Sequence, residues 1–236
     1  PGWRTEHAMS FDSRRGVTVL FGGYSADGVT DGTWEWDGVH WMFRNAAGPT
    51  HLSDVQLTYD ERRGITILFG RVADTYSYET WGYDGESWTP LRSDSLSGMW
   101  YAHGMAFDAR RGVIVLLAAV GDSNQTWEWD GAAWSLWNDG GVPSTGYFEL
   151  VYDLRRGATV AHGGGYWSSP NTWEWDGSLW IPRSDANLPG RDYPAMAYDS
   201  RRGVTVLFGG RGRTTTAKSR PLGDTWEWDG LIWTQR

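Results

Sequence analysis

The chain has 236 residues, a formal net charge of −8, a pI near 5.1, 18 Trp and no Cys. The acidic balance argues against a nucleic-acid partner, because a phosphate backbone is held by a basic face. The missing thiols exclude disulfides, thiolate zinc sites and a cysteine nucleophile, and are compatible with either redox compartment.

Residues 1–7 lack the basic and apolar segments of a signal peptide, and no apolar run is long enough to cross a bilayer, so no leader and no membrane partner are expected. The first predicted strand, A, is the alternating Ala8-Met9-Ser10-Phe11-Asp12. Arg14-Arg15-Gly16 leads into strand B, Val17-Thr18-Val19-Leu20-Phe21, which runs into Gly22-Gly23. Strand C lies around Glu35 in Trp34-Glu35-Trp36-Asp37-Gly38, and strand D around Trp41. Period-two alternation bounded by Gly, Asp and Asn is the signature of short strands and tight turns.

The pattern then returns. Arg-Arg-Gly recurs at Arg62, Arg110, Arg155 and Arg201, a period of about 45 to 48 residues. Trp-Glu-Trp-Asp-Gly begins again at Trp127, Trp173 and Trp226, and the second unit carries Trp81-Gly82-Tyr83-Asp84-Gly85. A further Trp follows that Asp by four in each unit: Trp41, Trp88, Trp134, Trp180 and Trp233. The units span about 1–45, 46–93, 94–138, 139–184 and 185–236 in a single domain. No stretch argues for a helix. A lone four-stranded sheet cannot bury both faces, and radial packing covers them while leaving only short edges. The predicted fold is therefore all-β: a closed, five-bladed β-propeller of four-stranded antiparallel blades, one repeat per blade. Closure comes either from packing between blades one and five or from a longer protein.

The apolar runs ending in Gly-Gly (Leu20 to Gly23, Leu207 to Gly210), with the spaced aromatics Trp34 and Trp41, or Trp226 and Trp233, resemble the kelch family over the whole chain. Phe69-Gly70-Arg71 and Leu117-Ala118-Ala119 depart from the Gly-Gly. The resemblance implies a fold and leaves scaffolds, glycan-related enzymes and partner-binding domains open. The copper-radical oxidases of that architecture use a Tyr-Cys crosslink, which this chain cannot form.

Trp34 and Trp36, two apart on one strand, share a face and are expected to pack between blades; Trp36→Ala is expected to cost roughly 3 to 5 kcal/mol. Asp37, Asp84, Asp130, Asp176 and Asp229 are expected to accept bonds from neighbouring Arg or turn amides in a belt of ion pairs and Asx-turns, and Glu35, Glu128, Glu174 and Glu227 to meet Arg or backbone groups between blades.

Function is expected where the repeat breaks down, at the end of the ring formed by the B–C and D–A loops. Trp3, Trp100, Trp167, Tyr101, Tyr147 and Tyr193 gather there, and exposed aromatics around a concave mouth suit sugar stacking or peptide anchoring. Glu6, His7, Asp54, His103 and Glu149 open the inner strands and could converge near the axis for acid/base chemistry. Glu149 and Gln56 replace an otherwise Ala or Gly position, and His162 stands alone where other units have Phe or Leu. No ligand spacing supports a metal, and no cofactor is expected. Arg4, Arg191, Arg211 and Arg213 are expected near the mouth to hold a carboxylate, with residues 211–223 as a lid.

The leading expectation is a monomeric, non-catalytic module binding a glycan or peptide through Trp3, Arg4, Asp54, Trp100, Tyr101, His103, Tyr147, Trp167, Arg191 and Tyr193. The second is a sugar-directed, epimerase- or mutarotase-like enzyme using Glu6, His7, His103 or Glu149. The third is an architectural repeat of a larger protein. Localisation stays open, with a secreted or cell-surface bacterial setting as the expectation.

Overall fold

The computed structural model describes residues 1–44, 47–91, 96, 98–139, 141–142, 147–163, 172–183, 187–213 and 219–236. Each repeat forms one antiparallel sheet in the order A-B-C-D. The first sheet comprises Ala8–Asp12, Val17–Phe21, Thr33–Trp36 and Trp41–Arg44. The second comprises Leu52–Asp60, Ile65–Val72, Tyr78–Tyr83 and Trp88–Leu91. The third comprises Met99–Asp108, Val113–Val120, Ser123–Trp129 and Trp134–Asp139. The fourth comprises Phe148–Asp153, Ala158–Gly163, Thr172–Trp175 and Trp180–Arg183. The fifth comprises Ala195–Asp199, Val204–Phe208, Thr225–Trp228 and Trp233–Gln235. Two small ribbons decorate the loops: Tyr24–Ser25 with Gly28–Val29 in the first B–C loop, and Arg191–Asp192 of the last D–A connection with Arg211–Arg213 and Ser219–Pro221 of the last B–C loop. No helix occurs among the described residues. The chain is all-β, with a β-propeller-like arrangement of its sheets.

Local chemistry fixes both turn types. Asp12 Oδ1 accepts the backbone N–H groups of Arg14 and Arg15 at 3.0 Å each, and the chain turns through Gly16 at φ 70°, a left-handed conformation that strains any residue with a Cβ. At the C–D turn, Asp37 Oδ1 accepts the N–H groups of Val39 and His40 at 2.7 Å. The same Asx-turn recurs at Asp84, Asp130, Asp176 and Asp229.

The ion pairs run elsewhere than through those turn aspartates. Arg15 bridges Asp12 and Glu35 at 2.6 Å to each, and Arg44 closes on Glu35 from strand D. The fourth sheet repeats this with Asp153, Arg156, Glu174 and Arg183, and the fifth with Asp199, Arg202, Glu227 and Arg236. In the third sheet Arg111 joins Asp108 to Glu128.

Strand A is innermost: the A strands pack on one another in order from the first sheet to the fifth. Cross-strand register divides each sheet into two faces. In the first sheet, Met9, Leu20, Trp34 and Phe43 form one row of the outward-going face, and Phe11, Thr18, Trp36 and Trp41 the next. Ala8, Phe21 and Thr33 lie on the opposite face, which meets the second sheet. There Trp88 packs edge-on against Phe21 at 5.4 Å and donates its indole N–H to Thr33 Oγ1 at 2.9 Å. Trp134 does the same to Phe69 and Thr80, and Trp233 to His162 and Thr172.

Five sheets thus make four apolar cores, and the expected closure of the fifth sheet on the first is not met. Among the described residues no comparable packing joins strand A of the fifth sheet to that of the first. Phe208, at the position of Phe21 and Phe69, is 54% exposed where those two are at most 1%. On the other end face Met9, Phe11 and Phe43 are exposed and Trp36 and Trp41 are only half-buried. The cost expected of Trp36→Ala therefore belongs to Trp129, Trp175 and Trp228, which are fully buried.

Candidate functional site

Each inner strand is entered through the residue six positions before its turn aspartate, except in the third sheet, where Tyr101, seven positions before, is the residue that meets its neighbours. These entry residues are Glu6, Asp54, Tyr101, Tyr147 and Tyr193. Three of them share a left-handed backbone that is costly for non-glycine residues: Glu6 at φ 56°, Asp54 at 49° and Tyr193 at 53°. Because the inner strands are neighbours, the entry residues form one rim at the B–C/D–A loop end.

Its two sides differ in chemistry. Tyr101, Tyr147 and Tyr193 make a continuous ladder, with ring centroids 4.9 and 4.5 Å apart and tilts of 35° and 34°. Desolvation, then Tyr147, raises the Tyr193 pKa. Desolvation, then Tyr147, raises that of Tyr101. Tyr193 is 54% exposed, and beside the ladder Trp100 is 58% exposed. On the other side stand the exposed Glu6 and the half-buried Asp54, the latter held by Arg71 at 3.0 Å. Trp3 is also exposed at this end, and Trp167 lies outside the described residues.

Several expected site residues serve the scaffold instead. Arg191 is 1% exposed and its guanidinium is committed to Asp224, at 2.8 and 3.0 Å, and to the Gly209 and Pro189 carbonyls. Four of its five N–H donors are used in this way, and its burial keeps the guanidinium from a ligand at the mouth. Asp224 responds with a pKa lowered to about 2, chiefly by Arg191. Arg4 donates to Gly22 O at 3.0 Å and Thr30 Oγ1 at 3.3 Å. His103 is buried: the Phe148 N–H donates to its Nδ1 at 3.3 Å, so the proton sits on Nε2 and goes to Asn124 Oδ1 at 2.8 Å. Burial pushes its pKa down to about 4, keeping it neutral. Of the loop at 211–223, Arg211–Arg213 pairs with Ser219–Pro221 as a hairpin; residues 214–218 and the Arg213 side chain lie outside the description.

The polar cluster expected of Glu6, His7, Asp54, His103 and Glu149 does not assemble, since Asp54 and His103 have separate partners. No group of three or more acidic or His side chains capable of holding a metal occurs among the described residues. His7 keeps a buried Nδ1 without a partner, and desolvation, then Arg4, lowers its pKa.

Another pairing takes the cluster's place. Glu149 lies directly across from His162, and His162 across from Thr172, in the row that faces the fifth sheet. His162 Nδ1 is 2.9 Å from Thr172 Oγ1, while its Nε2 is buried without a partner. Desolvation, then Arg191, pushes its pKa down to about 3. Glu149 is partly accessible by area, yet desolvation pushes its carboxyl up to about 8, so near neutrality it is a protonated donor. Elsewhere this row reads Ala8–Phe21, Gln56–Phe69, Gly104–Leu117 and Ala195–Phe208. Two polar departures at registered positions of one unit were the signal that could have joined His162 to Glu149. An axial cavity of about 360 Å³ lies toward the A–B turns, away from the rim, lined by Phe11, Tyr59, Phe107, Tyr152 and Tyr198 among others.

No family model and none of the curated proteins matches the chain. Solved structures do. The chain is similar to that described as "Structure of YjhT", with a TM-score of 0.71 and 12% identity over 99% of this chain and 84% of that one. At that identity the likeness speaks for the β-propeller-like fold alone.

Proposed function

We propose that the five four-stranded sheets are kelch-like propeller blades and that the chain is a non-catalytic binding module. Its ligand, a glycan or an extended peptide, lies on the rim of inner-strand entry residues. The Tyr101–Tyr147–Tyr193 ladder carries this reading: three rings, two of them substantially exposed, offer an apolar face edged with hydroxyls. Trp100 extends that face, and Glu6 and Asp54 across the rim are acceptors for ligand hydroxyls or amines. Left-handed backbone at three rim positions adds to it, since such strain collects at ligand clamps.

A glycan-array screen followed by calorimetric titration tests the reading. Saturable binding that Trp100→Ala and Tyr193→Ala abolish, with folding intact, supports it; binding indifferent to both overturns the assignment to the rim.

The Glu149–His162 pair favours a second reading, a sugar-directed enzyme in which protonated Glu149 acts as a general acid. Turnover lost in Glu149→Gln while binding persists would move the chain to that class.

A further inference from the structure

The two end faces of the array are the two halves of one interface. The fifth sheet ends in Phe208 and Thr225, which stand where Phe21 and Thr33, or Phe69 and Thr80, receive a Trp from the next sheet. Thr225 is partly exposed, whereas Thr33, Thr80, Thr126 and Thr172 are buried. Asp199 and Arg202 at the same edge are 30% and 51% exposed in their side chains, against 0–5% and 24–27% for their counterparts in the other four sheets. The first sheet ends in Trp41, Trp36 and Phe11, equivalent to the Trp134, Trp129 and Phe107 that bury themselves against the second sheet.

We infer that the gap between these faces takes one further four-stranded unit of this same repeat. Its strand-D Trp would pack on Phe208 and donate to Thr225, and its own Phe and Thr would receive Trp41. The four existing interfaces show what each face binds, and among the described residues neither end face packs against another four-stranded sheet. A unit in the gap would place its entry residue between Tyr193 and Glu6, completing the rim, and the inference stands whether or not the rim binds a glycan.

The test compares two proteins: the 236-residue chain, and the same chain with a second copy of residues 46–93 appended after Arg236. Hydroxyl-radical footprinting reads Met9, Trp41 and Phe208, sedimentation reads the oligomeric state, and melting reads stability. The extended chain is expected to be monomeric, to melt roughly 10 °C higher and to lose most labelling at all three residues. Adding Thr225→Val is expected to lower the melting temperature of the extended chain and leave that of the shorter one unchanged. Three results overturn the inference: a monomeric 236-residue chain already shielded at these residues, which would mean direct closure; shielding that appears only with self-association, which would make a second copy the occupant; or an appended unit that changes neither labelling nor melting.

Discussion

The indole N–H of Trp180 reaches from the fourth sheet to Thr126 Oγ1 in the third at 2.7 Å, in a fully buried contact. Trp88–Thr33, Trp134–Thr80 and Trp233–Thr172 repeat it at 2.8 to 2.9 Å. Thr126→Val keeps the shape and strands a buried donor, so it should cost about 1 to 3 kcal/mol. Thr225→Val, where no Trp arrives, should change stability by less than about 0.5 kcal/mol. Urea melts of the two variants check the contrast.

Gly82 stands where the other sheets have Glu. Trp175 donates to Glu128 at 3.2 Å and Trp228 to Glu174 at 2.9 Å, but Trp129, facing Gly82, has a buried Nε1 without a partner. A Cβ at Gly82 would meet only the side-chain ends of Ile65 and Leu91, at 3.3 and 3.4 Å. Gly82→Glu should therefore stabilise the chain by about 1 to 2 kcal/mol, by supplying an acceptor and removing a strand glycine. Equilibrium unfolding beside the parent measures it; a loss of stability would refute it.

Arg191, fully buried, and Asp224, partly buried, form a bidentate pair. Removing the cation in Arg191→Ala should cost about 3 to 5 kcal/mol, because the Asp224 carboxylate loses the partner that holds its pKa near 2. Thermal melting reads the loss, and ligand affinity measured well below the melting temperature should be unchanged.

Stability should peak near pH 6.5. His103 and His162 are neutral in the fold, with pKa values near 4 and 3, so the stability they contribute is present above the unfolded value of about 6.5 and is lost as pH falls toward those values. Glu149 works the other way: its folded value near 8 exceeds the unfolded one of about 4.3, so its contribution is lost as pH rises between them. Glu149→Gln should flatten the alkaline side of the curve and steepen the acid side above about pH 4.3, where Glu149 opposes the two histidines. Melting temperatures from pH 4 to 9 check both limbs.

Tyr193→Gly removes one rung of the aromatic ladder and relieves a backbone held at φ 53°. Affinity for the rim ligand should fall at least tenfold with stability unchanged within about 1 kcal/mol. Calorimetric titration and melting on one sample separate the two effects.

The repeat was legible because each of its residues has one local job. Asp12 and Gly16 make a turn, Trp34 and Trp36 share a face by alternation, and the spacing alone reveals both. Glu35 meeting Arg was equally open to reading. The openness of the array was not, since Trp36 and Trp129 have the same neighbours in sequence and differ only in whether a sheet stands opposite. Arg191 was misplaced for a related reason: an Arg in a polar loop looks available until Asp224, thirty-three residues on, is seen to occupy it. Tyr101, Tyr147 and Tyr193 were visible one by one, and their stacking needed the innermost strands to be adjacent.

The Asp–Arg–Glu–Arg relay runs inside a single sheet, whereas what passes between sheets is indole and aliphatic surface, indole N–H bonds to Thr or Glu, and Arg63 and Arg110 donating to backbone carbonyls. Among the described residues, duplication or deletion of one unit therefore cuts no ion pair at the junction. An internal recombination event, in-frame over about 46 residues, changes the length of the array without changing its charge pairing, and copy number becomes a quantity that selection can adjust.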